Sequence, residues 1–540
     1  MGNARAKTLC ILAMVVIIGL FFTVFRRNDR KAAVTADSEI CSMVGRDILQ
    51  EGGSAVDGAI AALLCTSVVN PHSAGFGGGA IFTVMEETGN VKIINSRETV
   101  PVLFRPDLLK YCSNQEKGSR WIGVPGQIRG LEQAHNLFGK LPWAKLFQPA
   151  VRMAREGVPV SADLDRILRR KVAGGSQFCD ILCYGNKTVF RQGAVMRFPK
   201  LAETFENIAN YGANAFYTGR IARDLIQEIK EAGGTLTMED LRSFQAKVTD
   251  AWTVPIDDYV MHFPPPPTGG AILAFLLNIM KGYKLSPSSL EGDQKALTYH
   301  RYIEALKFAN AQRKKTGDPD FNPGDEAAHL IEEAFADRVR AMISDSRTYN
   351  PNYYNVTPSL DRFGTTHVSV LAADGSAVSV TSTINDKFGS GVYSYRTGVI
   401  LNNEIADFCG IKDNLNTREQ PPSSMAPSIL YSKAKSRTMV IGASGGTMIT
   451  TGIAMALMNH LWFGMDLKDA IAAPVLFVRQ NTTEEYEQGF DETVLQELKT
   501  FGHHSQELAT VRNVVNAVVM EGTCIVAQSD ARRMAEAAGY

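Results

Sequence analysis

The stretch Arg362–Asn385 constrains the fold of this chain more than any other part of its sequence. Valines alternate with smaller or polar residues on both sides of the turn sequence 372–376. Such alternation around a short turn predicts a two-stranded antiparallel hairpin with one buried face. Gly364, two threonines and a histidine open the first strand, and two threonines and an asparagine close the second. By itself this is the pattern of a core hairpin whose polar residues face solvent.

Length and charge limit what can surround this hairpin. The chain has 540 residues, so we expect one large domain or two closely packed domains. Lysine plus arginine and aspartate plus glutamate both number 56, and this balance leaves no basic excess for binding nucleic acid. The nine histidines form no HExxH pair and the eight cysteines show no paired CxxC spacing. We therefore expect no metal site.

An uncharged apolar run, Thr8–Phe25, lies near the N-terminus between basic residues. The run is long enough for a helix that spans a bilayer, and a cleaved signal peptide is the alternative. Arg26 and Arg27 stand where a cleavage site needs small residues, which favours an uncleaved anchor. Basic residues are more numerous after the run than before it, and charge alone would keep the C-terminal part inside the cell. The predicted segments are a cytoplasmic tail at 1–7, an anchor at 8–25 and a tether at 26–38.

Sequons and cysteines point instead to an oxidising compartment outside the cytoplasm. Three N-x-S/T sequons occur, at Asn186, Asn355 and Asn481, and the proline at 358 weakens the second. Two pairs of cysteines are plausible local disulfides, although scattered buried thiols are the alternative. These pairs are Cys41 with Cys65, which frame a helix-turn-helix pattern, and Cys179 with Cys183 in a loop-like region. Because Cys10 lies in the anchor and seven cysteines remain, at least one of three others stays unpaired: Cys112, Cys409 and Cys524.

Helix and strand patterns alternate along the chain. The residues from Glu39 to Val69 predict two helices broken at Gly52-Gly53, and residues 80–95 predict a hairpin. Residues 127–320 are mostly helical in pattern, whereas Ser344–Phe363 is polar and without periodicity. Further predictions are an extended segment at His262–Gly270, strands at Gly398–Asn402, Ser428–Tyr431 and Thr438–Ile441, and a helix at Thr447–Trp462. Strands flanked by helices in both halves indicate an α/β layered fold.

The position of Thr365 suggests a chemical use for the hairpin. If the Gly364–Thr365 bond were cut, Thr365 would carry both a hydroxyl nucleophile and a free α-amine. An α-amine titrates near pH ~8, so at neutral pH part of it is free base that can activate the hydroxyl. A glycine before the bond permits the strained backbone that an N-to-O acyl shift requires.

Several other residues would suit such an enzyme. Gly445-Gly446, where a predicted helix starts, offer N–H groups for an oxyanion hole, although a tight turn is the alternative. Arg97 could bind a carboxylate through two parallel hydrogen bonds. Glu404 and Asp407, three residues apart, could converge on an ammonium group. Each of these charges alone would be an ordinary solvated surface residue, so the argument depends on their clustering.

Between Ala36 and Tyr540, ten sequence motifs occur in the same order as in a known protein family. In chain order they are GGSAVDGAIAALLC, GFGGG, NSRETVP, PPPPTGG, GTTHVSV, SAVSVTSTIN, LNNEIADF, PPSSM, GASGGT and EAAGY. On these motifs the chain closely resembles the gamma-glutamyltransferases, also called glutathione hydrolases. The stretches FGTTHVSVLAADGSAVSVTSTIN, RTGVILNNE and QPPSSMAPSIL are most similar to a vertebrate branch that also acts on glutathione-conjugated leukotriene.

The resemblance implies an N-terminal-nucleophile hydrolase fold, a four-layer αββα sandwich made as one precursor. It implies self-cleavage before the threonine nucleophile into a large subunit, 39–364 beyond the tether, and a small subunit, 365–540, which remain associated. A single-pass type II plasma-membrane protein with an extracellular catalytic region is implied, and this overrides the charge count. Family disulfides fall at Cys41–Cys65 and Cys179–Cys183, and no cofactor is implied.

The resemblance also implies a role for each site residue. Thr365 matches the nucleophile and Thr383 the residue that supports it. Thr366 adjoins Thr365, and alignment on the following His367 favours Thr365. Arg97, Ser423 and Ser424 match the groups that bind the substrate α-carboxylate; Asn385, Glu404 and Asp407 match those around the α-amine; and Gly445 and Gly446 match the oxyanion hole.

The expected substrates are glutathione, its conjugates, and acceptor amino acids or dipeptides. Two alternatives stay open at this point. One is a different N-terminal-nucleophile amidase, such as a beta-aspartyl peptidase or an acylase. The other is an uncleaved, anchored ectodomain that only binds ligands or partners.

Overall fold

The computed structural model describes residues 30–112, 117–172, 177–185, 187–322, 326–356, 363–479, 481–508 and 513–540. The predicted anchor Thr8–Phe25 and the sequon at Asn186 lie outside these residues. In the described part of the chain, no helix is both long and apolar enough to cross a membrane.

The strands and helices follow one another throughout the chain. The strands are β1 (Ala33–Ala36), β2 (Gly79–Met85), β3 (Val91–Asn95), β4 (Val158–Pro159), β5 (Val195–Met196), β6 (Lys247–Asp250), β7 (Trp252–Ile256), β8 (Tyr259–Phe263), β9 (Gly364–Leu371), β10 (Ala377–Asn385), β11 (Ser428–Ser432), β12 (Arg437–Ser444), β13 (Leu476–Val478), β14 (Glu484–Tyr486), β15 (Ser505–Glu507), β16 (Val514–Glu521), β17 (Cys524–Gln528) and β18 (Ala538–Gly539). The α-helices are α1 (Glu39–Gln50), α2 (Ala55–Val69), α3 (Gln127–Phe138), α4 (Trp143–Glu156), α5 (Ala162–Lys171), α6 (Cys179–Leu182), α7 (Pro199–Tyr211), α8 (Asn214–Tyr217), α9 (Arg220–Glu231), α10 (Met238–Ser243), α11 (Gly270–Lys281), α12 (Gly292–Ala311), α13 (Glu333–Arg340), α14 (Pro351–Tyr354), α15 (Met448–Leu457), α16 (Leu467–Ala472) and α17 (Glu492–Thr500).

Two large sheets pack face to face at the centre of the molecule. One has seven strands in the order β18-β1-β9-β10-β2-β3-β6, and the other has six in the order β17-β16-β12-β11-β8-β7. Apolar side chains from both sheets, including Leu371, Ile429, Val440 and Val518, form the layer between them. The hairpin β9–β10 lies in the middle of the larger sheet, so it contacts both its strand neighbours and the second sheet.

Helices cover the two outer faces. α1, α2 and α3 pack on the seven-stranded sheet, while α11 and α15 pack on the six-stranded sheet and α12 packs against α11. The helix α2 is buried along its whole length, because α1 and α4 cover the side that the sheet leaves open. The predicted α/β sandwich of four layers is therefore confirmed.

The hairpin is more deeply buried than its sequence pattern predicts. Val368 pairs with Val380 and Thr365 with Thr383, and every residue of both strands is buried. The prediction of one solvent-facing side was wrong, because helices cover one side and the second sheet covers the other. The polar side chains are satisfied inside: His367 bonds to the hydroxyl oxygens of Thr381 at 2.8 Å and Ser369 at 2.9 Å.

Some predicted boundaries differ from the structure. Strands β6, β7 and β8 lie inside the region predicted as mostly helical, and β8 includes the start of His262–Gly270. The segment Gly398–Asn402 makes isolated bridges at Ile400 and Leu401 and is not a strand. The helix predicted to end at Trp462 is α-helical to Leu457 and continues as one π-helical turn. Of the predicted loop Ser344–Phe363, residues 357–362 lie outside the described part, and the rest includes α14.

The described residues form three disulfides. Cys41–Cys65 and Cys179–Cys183 are the two local pairs that the sequence made plausible. The third, Cys112–Cys409, joins residues 297 positions apart. Cys524 is an exposed free thiol, in agreement with the odd cysteine count.

Candidate active site

A cavity opens at the end of the hairpin where Thr365 lies. Residues from seven separate stretches of the sequence meet there. Nine of the predicted site residues line it: Arg97, Thr365, Thr383, Asn385, Glu404, Asp407, Ser423, Ser424 and Gly446. Gly364 and Gly445 adjoin lining residues in the chain. The described lining residues include no histidine, so imidazole is not the base this cavity offers.

Hydrogen bonds place the Thr365 hydroxyl next to the carbonyl group of Gly364. The Thr365 hydroxyl donates to Thr383 Oγ1 at 3.3 Å, and the Thr383 hydroxyl donates to the Gly364 carbonyl oxygen at 2.9 Å. The backbone N–H of Asn385 donates to Thr383 Oγ1 at 2.8 Å. This last bond occurs because the strand bulges between Thr383 and Asn385, where the Asn385 backbone has a φ of 74°. Thr383 therefore connects the predicted nucleophile, the carbonyl before it and the bulge.

The structure separates the two adjacent threonines. Successive side chains in a strand point to opposite faces, and Thr366 accordingly points away from the cavity. Its hydroxyl donates to the buried carboxylate of Asp37 at 2.9 Å. Asp37 also accepts from Asn516 at 2.7 Å and pairs with Arg533. Thr366 is thus part of an internal polar cluster, whereas Thr365 lines the cavity.

His367 is next to these threonines in sequence but cannot serve as a base. Burial lowers the pKa of His367 to about 3, so the ring is a very weak base near neutral pH. The ring packs against the backbone of Gly442 in the second sheet, where even a methyl group would lie 2.1 Å from its Cε1 atom. His367 therefore serves the packing between the sheets.

Arg97 is buried at the cavity wall and its donors are directed at named acceptors. Its Nε donates to the carbonyl of Pro421 at 2.7 Å, and Nη2 donates to the carbonyl of Pro422 at 2.8 Å. Nη2 also bonds to Asp407 Oδ2 at 2.6 Å, while Nη1 lies 3.0 Å from Glu404 Oε2. Burial would lower the pKa of Arg97, but the neighbouring carboxylates, Glu404 first, outweigh it and raise the pKa. Arg97 is therefore a fixed positive charge.

Three carboxyl groups surround this one guanidinium. Glu98 lies 3.8 Å from Arg97 Nη1, behind the cavity, and burial raises its pKa to about 8. Burial also raises the pKa of Glu404 well above its ordinary value, and the nearby carboxyl groups of Glu98 and Asp407 add to this effect. Glu98 and Glu404 are both fully buried beside this single guanidinium, so burial disfavours the ionised form of each. A substrate ammonium group would supply the missing positive charge.

The two serines reach the cavity on an extended loop, and hydrogen bonds to Pro267 and Arg313 hold this loop in place. The backbone N–H of Ser423 donates to the carbonyl of Pro267 at 2.7 Å, and Ser424 Oγ accepts from Arg313 Nη1 at 2.8 Å. Arg313, which was not among the predicted site residues, also donates to Thr450 Oγ1 at 2.8 Å and lines the cavity. It follows α12 as the first of three basic residues, and such a basic run is typical of a helix end facing solvent. No local signal distinguished it.

The glycine pair lies between β12 and α15. The backbone φ angles of Gly445 and Gly446 are 129° and 63°, in the left-handed region that glycine adopts without strain. α15 begins at Met448, so the N–H groups at this end have no acceptor within the helix. A junction of this kind can direct N–H groups and the positive helix end toward a developing oxyanion.

One group of possible metal ligands lies elsewhere in the molecule. His300, Glu304 and His503 are buried together, and their ligand atoms are close enough to bind one ion. Their hydrogen bonds give the group a structural explanation: His300 Nδ1 lies 2.7 Å from His503 Nε2, and Lys307 Nζ lies 3.3 Å from Glu304. A buried ammonium group beside the carboxylate opposes the binding of a cation.

The fold and the site together define a class of protein. A threonine near the start of a central strand, in an αββα sandwich, faces a cavity with a guanidinium, carboxyl groups and a glycine turn. This is the architecture of the N-terminal-nucleophile hydrolases. A cephalosporin acylase from Bacillus halodurans has the same fold, with a TM-score of 0.84 over 95% of this chain and 96% of that one, at 23% identity.

Sequence comparison narrows the class to a family. A family model described as Gamma-glutamyltranspeptidase matches residues 41–540, and the chain belongs to this family. It is 42% identical to human Glutathione hydrolase 5 proenzyme over 94% of this chain and 93% of that protein. It is 36% identical to Glutathione hydrolase 2 of Arabidopsis thaliana, over 82% of this chain and 80% of that protein. The gamma-glutamyltranspeptidase of Helicobacter pylori is 25% identical with a TM-score of 0.53, over 58% of this chain and 92% of that one.

Proposed function

We propose that this protein is a gamma-glutamyltransferase and glutathione hydrolase. Its substrates are glutathione and glutathione conjugates, including glutathione-conjugated leukotriene, and it uses no cofactor. The observation that carries this proposal is that one cavity places the Thr365 hydroxyl with Arg97 and the carboxyl groups of Glu404 and Asp407. A gamma-glutamyl group has an α-carboxylate and an α-ammonium group to bind, and these side chains have the complementary charges.

The first step in this proposal is cleavage of the precursor at Gly364–Thr365. The Thr365 hydroxyl oxygen attacks the Gly364 carbonyl carbon, forming an ester bond as the peptide C–N bond breaks. The released nitrogen takes up the hydroxyl proton and becomes the new α-amine. Thr383 is placed to stabilise the oxyanion, since its hydroxyl donates to that carbonyl oxygen at 2.9 Å. Water then hydrolyses the ester and leaves subunits that end at Gly364 and begin at Thr365.

The mature site then cleaves the gamma-glutamyl amide bond, again through attack of the Thr365 hydroxyl on a carbonyl carbon. Arg97 and the two serines hold the α-carboxylate, while Asn385, Glu404 and Asp407 hold the α-ammonium group. Thr365 attacks the gamma carbonyl, and its α-amine takes the proton and passes it to the leaving amine. Gly445 and Gly446 donate N–H groups to the oxyanion. Water or an acceptor amino acid or peptide then releases the gamma-glutamyl group from Thr365.

The remaining proposals concern the location and processing of the chain. Residues 1–7 are a cytoplasmic tail, 8–25 a signal anchor and 26–38 a tether to the extracellular large subunit, 39–364, with the small subunit at 365–540. The plasma membrane is thus the proposed location, in the single-pass type II orientation. Disulfides support an oxidising compartment. Asn355 and Asn481 are exposed, as glycan acceptors must be, and Asn186 is the third proposed acceptor.

N-terminal sequencing of the small fragment tests the maturation step. The full chain should give two fragments on a reducing denaturing gel, the smaller beginning at Thr365. Thr365→Ala should stay in one piece. Thr366→Ser is the matched control, because it retains the hydroxyl that bonds to Asp37, and it should be cut normally. A fragment that begins elsewhere, or a cut Thr365→Ala chain, would contradict the proposal.

Substrate competition separates this function from that of another N-terminal-nucleophile amidase. Glutathione should be hydrolysed, and a donor without the α-carboxylate should be turned over far less efficiently because Arg97 would lose its partner. An isoaspartyl dipeptide that competes better than glutathione would favour a beta-aspartyl peptidase instead. An uncleaved chain with no turnover of any amide would favour a binding ectodomain.

A further inference from the structure

The disulfide Cys112–Cys409 lies at the wall of the cavity. Cys112 directly follows the 3-10 helix Leu108–Tyr111. Cys409 directly follows the 3-10 helix Glu404–Phe408, which carries both carboxyl groups of the site, and Cys409 itself lines the cavity. The bond therefore connects the helix that presents Glu404 and Asp407 to a distant part of the chain.

The two cysteines lie on opposite sides of the proposed cut. Cys112 belongs to the segment before Gly364 and Cys409 to the segment after Thr365, whereas the other two described disulfides lie wholly before the cut. We propose that Cys112–Cys409 covalently joins the large and small subunits and holds the helix of Glu404 and Asp407 in position at the cavity. This inference rests on the cleavage proposed above.

Packing around the bond supports a fixed position for this helix. A small hydrophobic cluster surrounds it, with Leu108 and Trp121 from the large subunit and Ile405 and Phe408 from the small one. These four side chains are at most 3% exposed. Two residues of the helix thus point into this cluster while its two carboxyl groups point to Arg97. Both cysteines belong to this cluster, and Cys409 also lines the cavity.

Substrate binding makes such a fixed position useful. Without substrate, Arg97 itself holds the helix through Glu404 and Asp407. A gamma-glutamyl group would place its own carboxylate on Arg97 and its ammonium group on the two carboxyl groups, replacing part of those direct contacts. A helix of five residues is too short to be stable alone. The disulfide and the neighbouring cluster hold the helix through contacts that do not involve Arg97.

The subunits do not need the disulfide to remain together. In the seven-stranded sheet, β1 of the large subunit lies between β18 and β9 of the small subunit, and β10 of the small subunit pairs with β2 of the large one. Both subunits also contribute to the six-stranded sheet. Loss of the bond should therefore change substrate binding and leave the association of the subunits intact.

The chemistry of the bond is ordinary thiol–disulfide exchange. It forms when the two thiols give up two protons and two electrons to a disulfide oxidant, as in the secretory pathway. Dithiothreitol reverses the reaction: it returns both thiols and is itself oxidised to a cyclic disulfide. Reduction of a denatured sample therefore separates the subunits.

Denaturing gels of the full-length protein test the covalent link. Free thiols are alkylated before denaturation, so that no new exchange occurs. We expect two bands with reductant and one band of their summed mass without it. The double variant Cys112→Ser/Cys409→Ser should give two bands in both lanes. Cys524→Ser is the matched control, since this thiol is free and exposed, and it should behave as the wild type.

Each of the other possible gel patterns would contradict one part of the proposal. Two bands without reductant in the wild-type protein would overturn the covalent link while leaving the proposed cut intact. One full-length band in both lanes would overturn the cut itself, and with it the existence of two subunits to join. A tethered product in the double variant would show that other cysteines form the link.

Steady-state kinetics test the positioning role. In the double variant we expect KM for the gamma-glutamyl donor to rise about tenfold. This is a smaller change than the roughly 100-fold loss of enzyme efficiency that a misplacement of about 1 Å can cause. The kcat value should change less than KM, because the pairing of β9 with β10 in the central sheet holds Thr365 and Thr383. Gel filtration should show one species containing both subunits. An unchanged KM in the double variant would overturn the positioning role.

Discussion

At Arg97, one guanidinium serves three carboxyl groups, and this imbalance determines how the site responds to pH. Glu404 has a raised pKa, so protonation of its carboxyl group extends closer to neutral pH than in an exposed glutamate. A protonated carboxyl group cannot pair with the substrate ammonium group. Lowering the pH through this pKa should therefore weaken donor binding. The buried charges around Arg97 thus act mainly on affinity.

Measurement of KM for glutathione between about pH 6 and about pH 9 tests this expectation. KM should rise as the pH falls, approaching tenfold per pH unit where the carboxyl group is mostly protonated. Glu404→Gln mimics the protonated form, so its KM should be high and nearly independent of pH below neutrality. A wild-type KM that is flat over this range, or a glutamine variant with the wild-type profile, would argue against the assignment of Glu404.

Thr383 should govern the rate of self-cleavage. Its hydroxyl is the donor to the Gly364 carbonyl oxygen, and removal of one oxyanion donor typically slows a reaction about 100- to 1,000-fold. We expect Thr383→Val to accumulate as uncut precursor, while Thr383→Ser, which retains the hydroxyl, is cut at a rate closer to that of the wild type. Reducing gels taken over a time course measure this. Normal cleavage of the valine variant would exclude Thr383 from the step.

Some residues of the site could be predicted from the sequence and others could not. Thr365, Thr383 and Arg97 lie in motifs that carry the family resemblance, so they could be named from the sequence alone. Arg313 could not, because its role depends on Ser424, a residue 111 positions away in the chain. Likewise, sequence could not indicate that Glu98 adds a third carboxyl group behind Arg97.

At the scale of elements, β9 and β12 come into close contact where His367 faces Gly442. The His367 ring lies against Gly442, where an added methyl group would be 2.1 Å from its Cε1 atom. Gly442→Ala should therefore destabilise the fold by about 1–3 kcal/mol, the usual cost of overpacking. Urea unfolding in the uncut Thr365→Ala background measures this on a single chain. Gly185→Ala, with nothing within 4 Å of its added atom, is the control and should be neutral.

An unchanged unfolding midpoint for Gly442→Ala would show that the two sheets can separate slightly at this point.

The same contact explains why part of the hairpin's environment could not be predicted from the sequence. The hairpin strands and their turn follow from alternation alone, but the burial of both faces does not, since it depends on a second sheet. Strands β6 and β7 were missed because they are edge strands with exposed polar residues and, in β7, Pro255.

At the scale of the whole molecule, the proposed cut separates neighbours within one sheet. β9 and β10 would belong to the small subunit, while β1 and β2, which flank them, would belong to the large one. Residues 365–540 expressed alone should therefore fail to fold, because two strand edges would be exposed, together with the face of the hairpin that helices of the large subunit cover. Circular dichroism and gel filtration of this fragment test the expectation, with the full-length protein as the control. A soluble, cooperatively folding fragment would contradict it.

The fold class was predictable because alternating helix and strand patterns and ordered motifs extend over nearly the whole chain. The pairing of Cys112 with Cys409 was not, because it depends on two short helices meeting at the cavity. Sequence limited the possibilities only to three cysteines, of which at least one had to be free.

The most direct test of the proposed chemistry is to trap the nucleophile. The full-length protein is incubated with a diazoketone analogue of glutamine, and the position of the added mass is mapped by mass spectrometry of peptides. We predict a single adduct on Thr365, at the N-terminus of the small subunit, and its loss when excess glutathione competes. An adduct on Thr366 or any other residue, or full inactivation without modification of Thr365, would contradict the central claim.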